Sequence, residues 1–131
     1  MKGVVSGFDH VSLPLRDADA MAAFYRALGL RVDDTPYLVV VHLGDQMINF
    51  HREEMWTRTD FTLRAPAATP PCGDLCFVWS GSDDELRAAL QAADAEVEEG
   101  PVPRVGGRGV EATSVYVRDP DGNLLEFMRY P

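Results

Sequence analysis

Lysine is nearly missing from this chain. Eleven of its twelve basic residues are arginine and the exception is Lys2, set against twenty-one acidic residues for a net charge of −9. A surface of that sign repels phosphate backbones, and no basic stripe offsets it, which argues against a nucleic-acid partner. Cysteine is scarce as well. Cys72 and Cys76 are too close and too few for a disulfide framework, and no second pair completes a zinc site. Long apolar runs are absent: Tyr37 to Val41 is typical, far below the roughly twenty residues that span a bilayer. The opening MKGVVSGFDH has no apolar signal-peptide core. These features predict a cytoplasmic protein with no membrane partner.

The rest of the composition suits one globular domain: 131 residues, 46% hydrophobic and 25% charged. The chain reads as two halves. In the first, Val11, Leu13 and Leu15 alternate with His10, Ser12 and Pro14, which is strand periodicity. Met21, Phe24, Tyr25 and Leu28 then fall on one helical face, with Asp17 or Asp19 able to cap its start and Gly29 placed for its end. Strands follow from Arg31–Val32, over Tyr37 to Leu43, and over Met47 to His51, with a tight turn at Gly44-Asp45.

The second half repeats the order. Leu75, Phe77 and Trp79 alternate with Asp74, Cys76 and Val78; Ser82 to Glu85 has the form of a capping box; Leu86, Ala89, Leu90 and Ala93 make a helix face. A short strand near Val97 and a long glycine-containing loop, EEGPVPRVGGRG, are expected next. Thr113 to Arg118 and Leu124 to Met128 then form a hairpin across Asp119-Pro120-Asp121-Gly122-Asn123. The predicted fold is α+β, two tandem βαβββ modules forming a cup-shaped mixed sheet, with module one at about 7–51, a linker at about 52–73 and module two at about 74–130. Trp56 and Phe61 of the linker either lid a pocket or tuck onto the sheet.

Strand parity separates two faces. The uniformly apolar sets, including Ile48, Phe50, Val115, Val117, Leu125 and Phe127, belong against the helices. The other face carries His10, Ser12, Met47, Asn49, His51, Asp74, Cys76, Ser114, Tyr116 and Glu126. Such a face can simply meet water. Its polar members, however, are metal-ligand types that recur at matching positions: His10 falls on Asp74, and Asn49 on Glu126. A carboxylate between Leu125 and Phe127 needs a partner if it is buried.

The segments DHVSLPL, FYRALGL, INFH, DLCFV, EEGPVPR and above all SVYVRDPDGNLLEF resemble the vicinal oxygen chelate superfamily of glyoxalases, bleomycin-resistance proteins and extradiol dioxygenases. The likeness covers nearly the whole chain and points to small bacterial members. It implies a divalent metal (manganese, iron, zinc or nickel) held by His10, Asp74, Glu126 and His51. It implies Glu126 or His51 as catalytic base, and substrate contacts from Ser12, Asn49, Ser114, Tyr116 and Arg104. The sequence departs from the family at Asp74, where histidine is usual, and at Asn49, where a carboxylate is frequent. Asp74 favours hard ions. The implied activity is a glyoxalase-like lyase or isomerase, or a dioxygenase, on a small oxygen-rich molecule. The alternative is a metal-free dimeric binding protein of the bleomycin-resistance kind. Tyr116 and Arg104 have equal claims to packing and surface roles, Cys76 reads as a small hydrophobe, and His42 as structural.

Relatives of this size complete their cups by pairing, and open sheet edges need cover. A homodimer is therefore expected, and light scattering at micromolar concentration should return twice the monomer mass.

Overall fold

The computed structural model describes residues 2–131. Its elements run β1 (His10–Pro14), α1 (Ala18–Ala27), β2 (Val32–Asp34), β3 (Leu38–Leu43), β4 (Gln46–His51), a one-turn α2 (Glu53–Trp56), β5 (Asp74–Val78), α3 (Asp83–Ala92), β6 (Glu99–Val105), β7 (Glu111–Arg118) and β8 (Leu124–Arg129). They form two four-stranded sheets of identical plan, β1-β4-β3-β2 and β5-β8-β7-β6. In each, the first strand lies parallel beside the last, while the other pairings are antiparallel. This is the α+β architecture of two tandem βαβββ modules that the residue pattern predicts.

Local chemistry sets the helix limits. Asp17 accepts the Ala20 N–H at 3.1 Å to open α1, and Ser82 and Glu85 exchange both bonds of a capping box to open α3. Gly29 ends the first helical segment at φ +97°, where a side chain would be strained. Met21, Phe24, Tyr25 and Leu28 of module one and Leu86 and Leu90 of module two join one continuous core with Ile48, Phe50, Val115, Val117, Leu125 and Phe127. The face assigned to the helices by parity is the buried one.

One segment departs from the sequence reading. Val97 is not in a strand, and the expected loop is instead the edge strand β6. Pro101 and Pro103 disguise it, since proline is a poor strand residue in general but is tolerated at a sheet edge or bulge. The register against β7 is irregular between Glu99 and Val102. Gly100 permits it: with φ +109°, a side chain there would collide with the Ser114 carbonyl oxygen.

The linker tucks in. Trp56 Nε1 donates to the Leu15 carbonyl at 2.9 Å, and the Phe61 ring lies 5.1 Å from that of His51. A second tie joins the modules. The buried Tyr25 hydroxyl donates to Asp119 Oδ2 at 2.7 Å, which also takes Asn123 Nδ2 at 2.8 Å. Asp119 Oδ1 accepts the N–H groups of Gly122 and Asn123, and Asn123 Oδ1 accepts that of Gly73 at 2.8 Å. Asp121 takes the N–H groups of Arg16 and Asp17. The β7–β8 turn therefore holds the start of α1 and the end of the linker. Burial pushes the Asp119 carboxyl upward, and the bonds from Asn123 and Tyr25 pull it back. Burial first, and the Asp119 charge second, push the Tyr25 phenol well above its ordinary value.

Tyr25→Phe strips the donor from a buried carboxylate and should cost about 1–3 kcal/mol, read as a lower denaturant midpoint at unchanged slope. A phenol whose folded pKa is raised contributes stability that is whole below the unfolded value of about 10 and is lost as pH rises beyond it. The alkaline fall in stability should be shallower in Tyr25→Phe than in the wild type.

Candidate functional site

The two sheets present the same register on their open faces. In module one His10 lies beside Met47 and Ser12 beside Asn49; in module two Asp74 lies beside Leu124 and Cys76 beside Glu126. His10 and Asn49 are thus diagonal neighbours on one face, and Asp74 and Glu126 stand in the same relation. The internal repeat seen in sequence is a repeat of strand register. His42 pairs with Met47 on β3, which puts it on this face in the row His42–Met47–His10. Its Nε2 lies 2.8 Å from Asp33 Oδ2, and the Arg31 guanidinium sits 3.0 Å from Nδ1. Both faces of β3 are apolar, so alternation along the strand does not place His42, and only the β3–β4 register does.

In module two one hydrogen bond holds the Glu126 carboxylate, and strand pairing sets its neighbours. The fully buried Ser114 donates to its Oε2 at 2.6 Å. Tyr116 pairs with Glu126 across β7–β8, and Cys76 pairs with it across β5–β8. Arg104 Nε donates to the Tyr116 hydroxyl at 3.0 Å. A cavity of about 330 Å3 is lined here by Cys76, Arg104, Glu126, Met128 and Tyr130 among others. Burial, with the Glu126 carboxylate next, pushes the Cys76 thiol up to about 11. That keeps it protonated at neutral pH and unfit as a nucleophile.

In module one, His10 Nδ1 lies 2.6 Å from Asp9 Oδ1. A proton on Nδ1, donated to Asp9, leaves Nε2 as a free lone pair, the arrangement that orients imidazole ligands. Asn49 Oδ1 is buried and accepts no hydrogen bond in the structure. Ser12, beside it on β1, is exposed. A cleft of about 600 Å3 lies against β1 and β5 and is lined by Phe8, His10, Met47, Asp74 and Cys76 among others. His51 stands apart. It pairs with Pro14, four residues beyond the His10–Met47 level, about 13 Å along the strand. Phe61 covers it, and burial followed by the Arg64 charge pushes its pKa below the ordinary histidine value.

The donor chemistry fits a hard divalent ion, but as two half-sites. His10 and Glu126 each have an orienting partner, Asp9 and Ser114, and Asn49 offers an unused oxygen. Among the described residues, no three His, Cys, Asp or Glu side chains of one chain converge on a common point. His10 and Asp74 share the large cleft, whereas Glu126 faces the smaller cavity.

Residues 7–127 match the Glyoxalase/Bleomycin resistance protein/Dioxygenase superfamily, and the chain belongs to that family. Virulence protein STM3117 of Salmonella typhimurium is 35% identical over 129 residues, covering 97% of this chain and 86% of that one. Its crystal structure superposes with a TM-score of 0.85 at 34% identity, over 98% of this chain and 100% of that one. The lactoylglutathione lyase of Agrobacterium tumefaciens is also similar, with a TM-score of 0.72 at 28% identity over 96% and 95% of the two chains. No helix among the described residues is long and apolar enough to cross a membrane.

The environment of Cys76 is directly testable. Against a reference thiol at 9.0, a pKa of about 11 lowers the thiolate fraction roughly a hundredfold. In a Cys72→Ser background, iodoacetamide at pH 8 should label Cys76 about that much more slowly than a free peptide thiol. Glu126→Gln should accelerate the labelling by removing the neighbouring charge, as followed by mass spectrometry.

Proposed function

We propose that this chain is a metal-dependent enzyme acting on a small oxygen-rich molecule, with His10, Asp74 and Glu126 holding the ion and Glu126 also serving as proton acceptor. The matched diagonal pairs His10/Asn49 and Asp74/Glu126 carry this reading, since each module offers one first-strand and one last-strand donor in the same geometry. Because the donors of one chain do not close on a point, a second copy completes the site by bringing a module-one pair against a module-two pair. A divalent ion there would polarise two neighbouring substrate oxygens as a Lewis acid. With one imidazole against carboxylate and amide oxygens, the set favours manganese or ferrous iron over softer ions.

The chain's own groups have distinct tasks. Ser114 holds Oε2 of Glu126, so Oε1 is the atom that would bind the ion and that, when free of it, would take a proton from a substrate carbon or hydroxyl. Tyr116 and Arg104 flank it and position substrate oxygens. Asn49 and Ser12 supply an acceptor and a hydroxyl from the other module. The reaction class is proton transfer within a lyase or isomerase, in line with the likeness to a lactoylglutathione lyase. The unpaired thiols of Cys72 and Cys76 accord with a reducing cytoplasm.

One observation favours a second reading. The absence of a converged ligand group in the described chain, with Asp74 and Asn49 at positions usual for other ligands, suits a metal-free binding protein. Metal titration separates the two. Wild-type protein should bind manganese or ferrous iron in calorimetry, and Glu126→Gln should weaken binding at least about tenfold, roughly 1.4 kcal/mol. His10→Ala should do the same, and both should lose the thermal stabilisation that metal confers. If manganese, iron, zinc and nickel all fail to bind the wild type, the binding-protein reading replaces the enzyme.

A further inference from the structure

From Gly100 to Val110 this acidic chain carries Arg104 and Arg108 and no acidic residue. The arginine–carboxylate pairs among the described residues are at Arg52, Arg58, Arg87 and Arg118, so neither of these two guanidiniums is neutralised. Each lies on a tyrosine ring instead. Arg104 is 5.6 Å from the Tyr116 ring centre and Arg108 is 4.3 Å from that of Tyr130. Both phenol oxygens accept from the same segment, Tyr116 from Arg104 Nε and Tyr130 from the Arg108 backbone N–H at 3.3 Å. A phenol that accepts still has its own proton to donate.

The 330 Å3 cavity beside this cradle is lined by Arg104, Tyr130 and Glu126 together. Volume for roughly ten non-hydrogen atoms lies between them, taking about 30 Å3 for each. The donor side calls for negative charge. The Glu126 side repels it and calls for a proton donor. A simple anion satisfies one wall only, and so does a neutral alcohol. A molecule with anionic oxygens next to a hydroxyl satisfies both.

We infer that this pocket binds a small hydroxy acid, its anionic oxygens held by Arg104 and Tyr130, which Tyr116 and Arg108 support from behind, and its hydroxyl donated to Glu126. The inference names the substrate class for the cup and rests on reading the cup as a small-molecule site, but it does not depend on the ion. A carboxylate and a phosphate monoester share the required chemistry, and the neighbouring hydroxyl is the discriminating feature.

The test uses full-length, metal-free, nitrogen-15-labelled protein titrated at constant ionic strength with glycolate, acetate, inorganic phosphate and uncharged glycolamide. The amides of Gly106 and Gly107 line the cavity and report binding. Glycolate should give saturable shifts at least about fivefold tighter than acetate, and glycolamide should give none. Inorganic phosphate tighter than acetate would assign the anionic group to a phosphate ester, and the reverse to a carboxylate. Arg104→Met, which keeps the aliphatic stem, should weaken glycolate at least about tenfold. Glu126→Ala should erase the advantage of glycolate over acetate while tightening acetate. Equal affinity for glycolate and acetate, saturation by glycolamide, no saturable shift, or an unaffected Arg104→Met would each overturn the inference. A parallel manganese titration of the same sample keeps the outcomes apart. Ion binding without glycolate discrimination defeats this inference alone, and glycolate discrimination without ion binding defeats the metal reading alone.

Discussion

Everything the cup presents depends on the register of β8 between β5 and β7. Side chains on a strand alternate faces, so a slip of one residue would carry Glu126 into the apolar layer beneath the helices and turn Leu125 and Phe127 outward. Burying that carboxylate without a partner would cost several kcal/mol. Leu125 is fully buried and Phe127 nearly so, which pins one face of the strand. The β7–β8 turn pins its start, because Asp119 and Asn123 are bonded to Tyr25 of α1 and to Gly73 at the foot of β5. The same residues that join the modules thus decide which way Glu126 points.

The polar face is built with unequal modules. Module two holds its carboxylate with a buried serine and surrounds it with a protonated thiol and a tyrosine–arginine pair. Module one presents an exposed imidazole oriented by Asp9 and a buried amide oxygen without a donor. A buried acceptor left unpaired costs stability. Among the described residues, Asn49 Oδ1 is the buried side-chain atom left without a hydrogen-bond partner.

Much of this was legible in the residues. Alternation in FDHVSLPL, DLCFVW and SVYVRDPDGNLLEF assigns strands and faces together; the cap at Ser82 stands at its expected place, and of the two candidates for α1 the structure uses Asp17. The misplaced segment was β6, where prolines and a glycine disguise an edge strand whose partner's backbone leaves no room for a side chain at Gly100. His42 was unreadable because its strand is apolar on both faces, and only pairing with Met47 assigns it one. His51 shares the parity of Asn49, but parity carries no information about distance along a strand, and Phe61 reaches it from a linker without periodicity. The tie between Tyr25 and Asp119 joins residues 94 apart in sequence, and no local pattern announces it.

In the proposed site His10, Asp74 and Glu126 meet on one ion through oxygen and imidazole donors alone. X-ray absorption spectroscopy of the manganese- or iron-loaded protein tests this most directly. The account predicts a first shell of oxygen and nitrogen with imidazole scattering that disappears in His10→Ala. A sulfur scatterer in the first shell, as thiolate ligation by Cys76 would give, or imidazole scattering that survives in His10→Ala would contradict it.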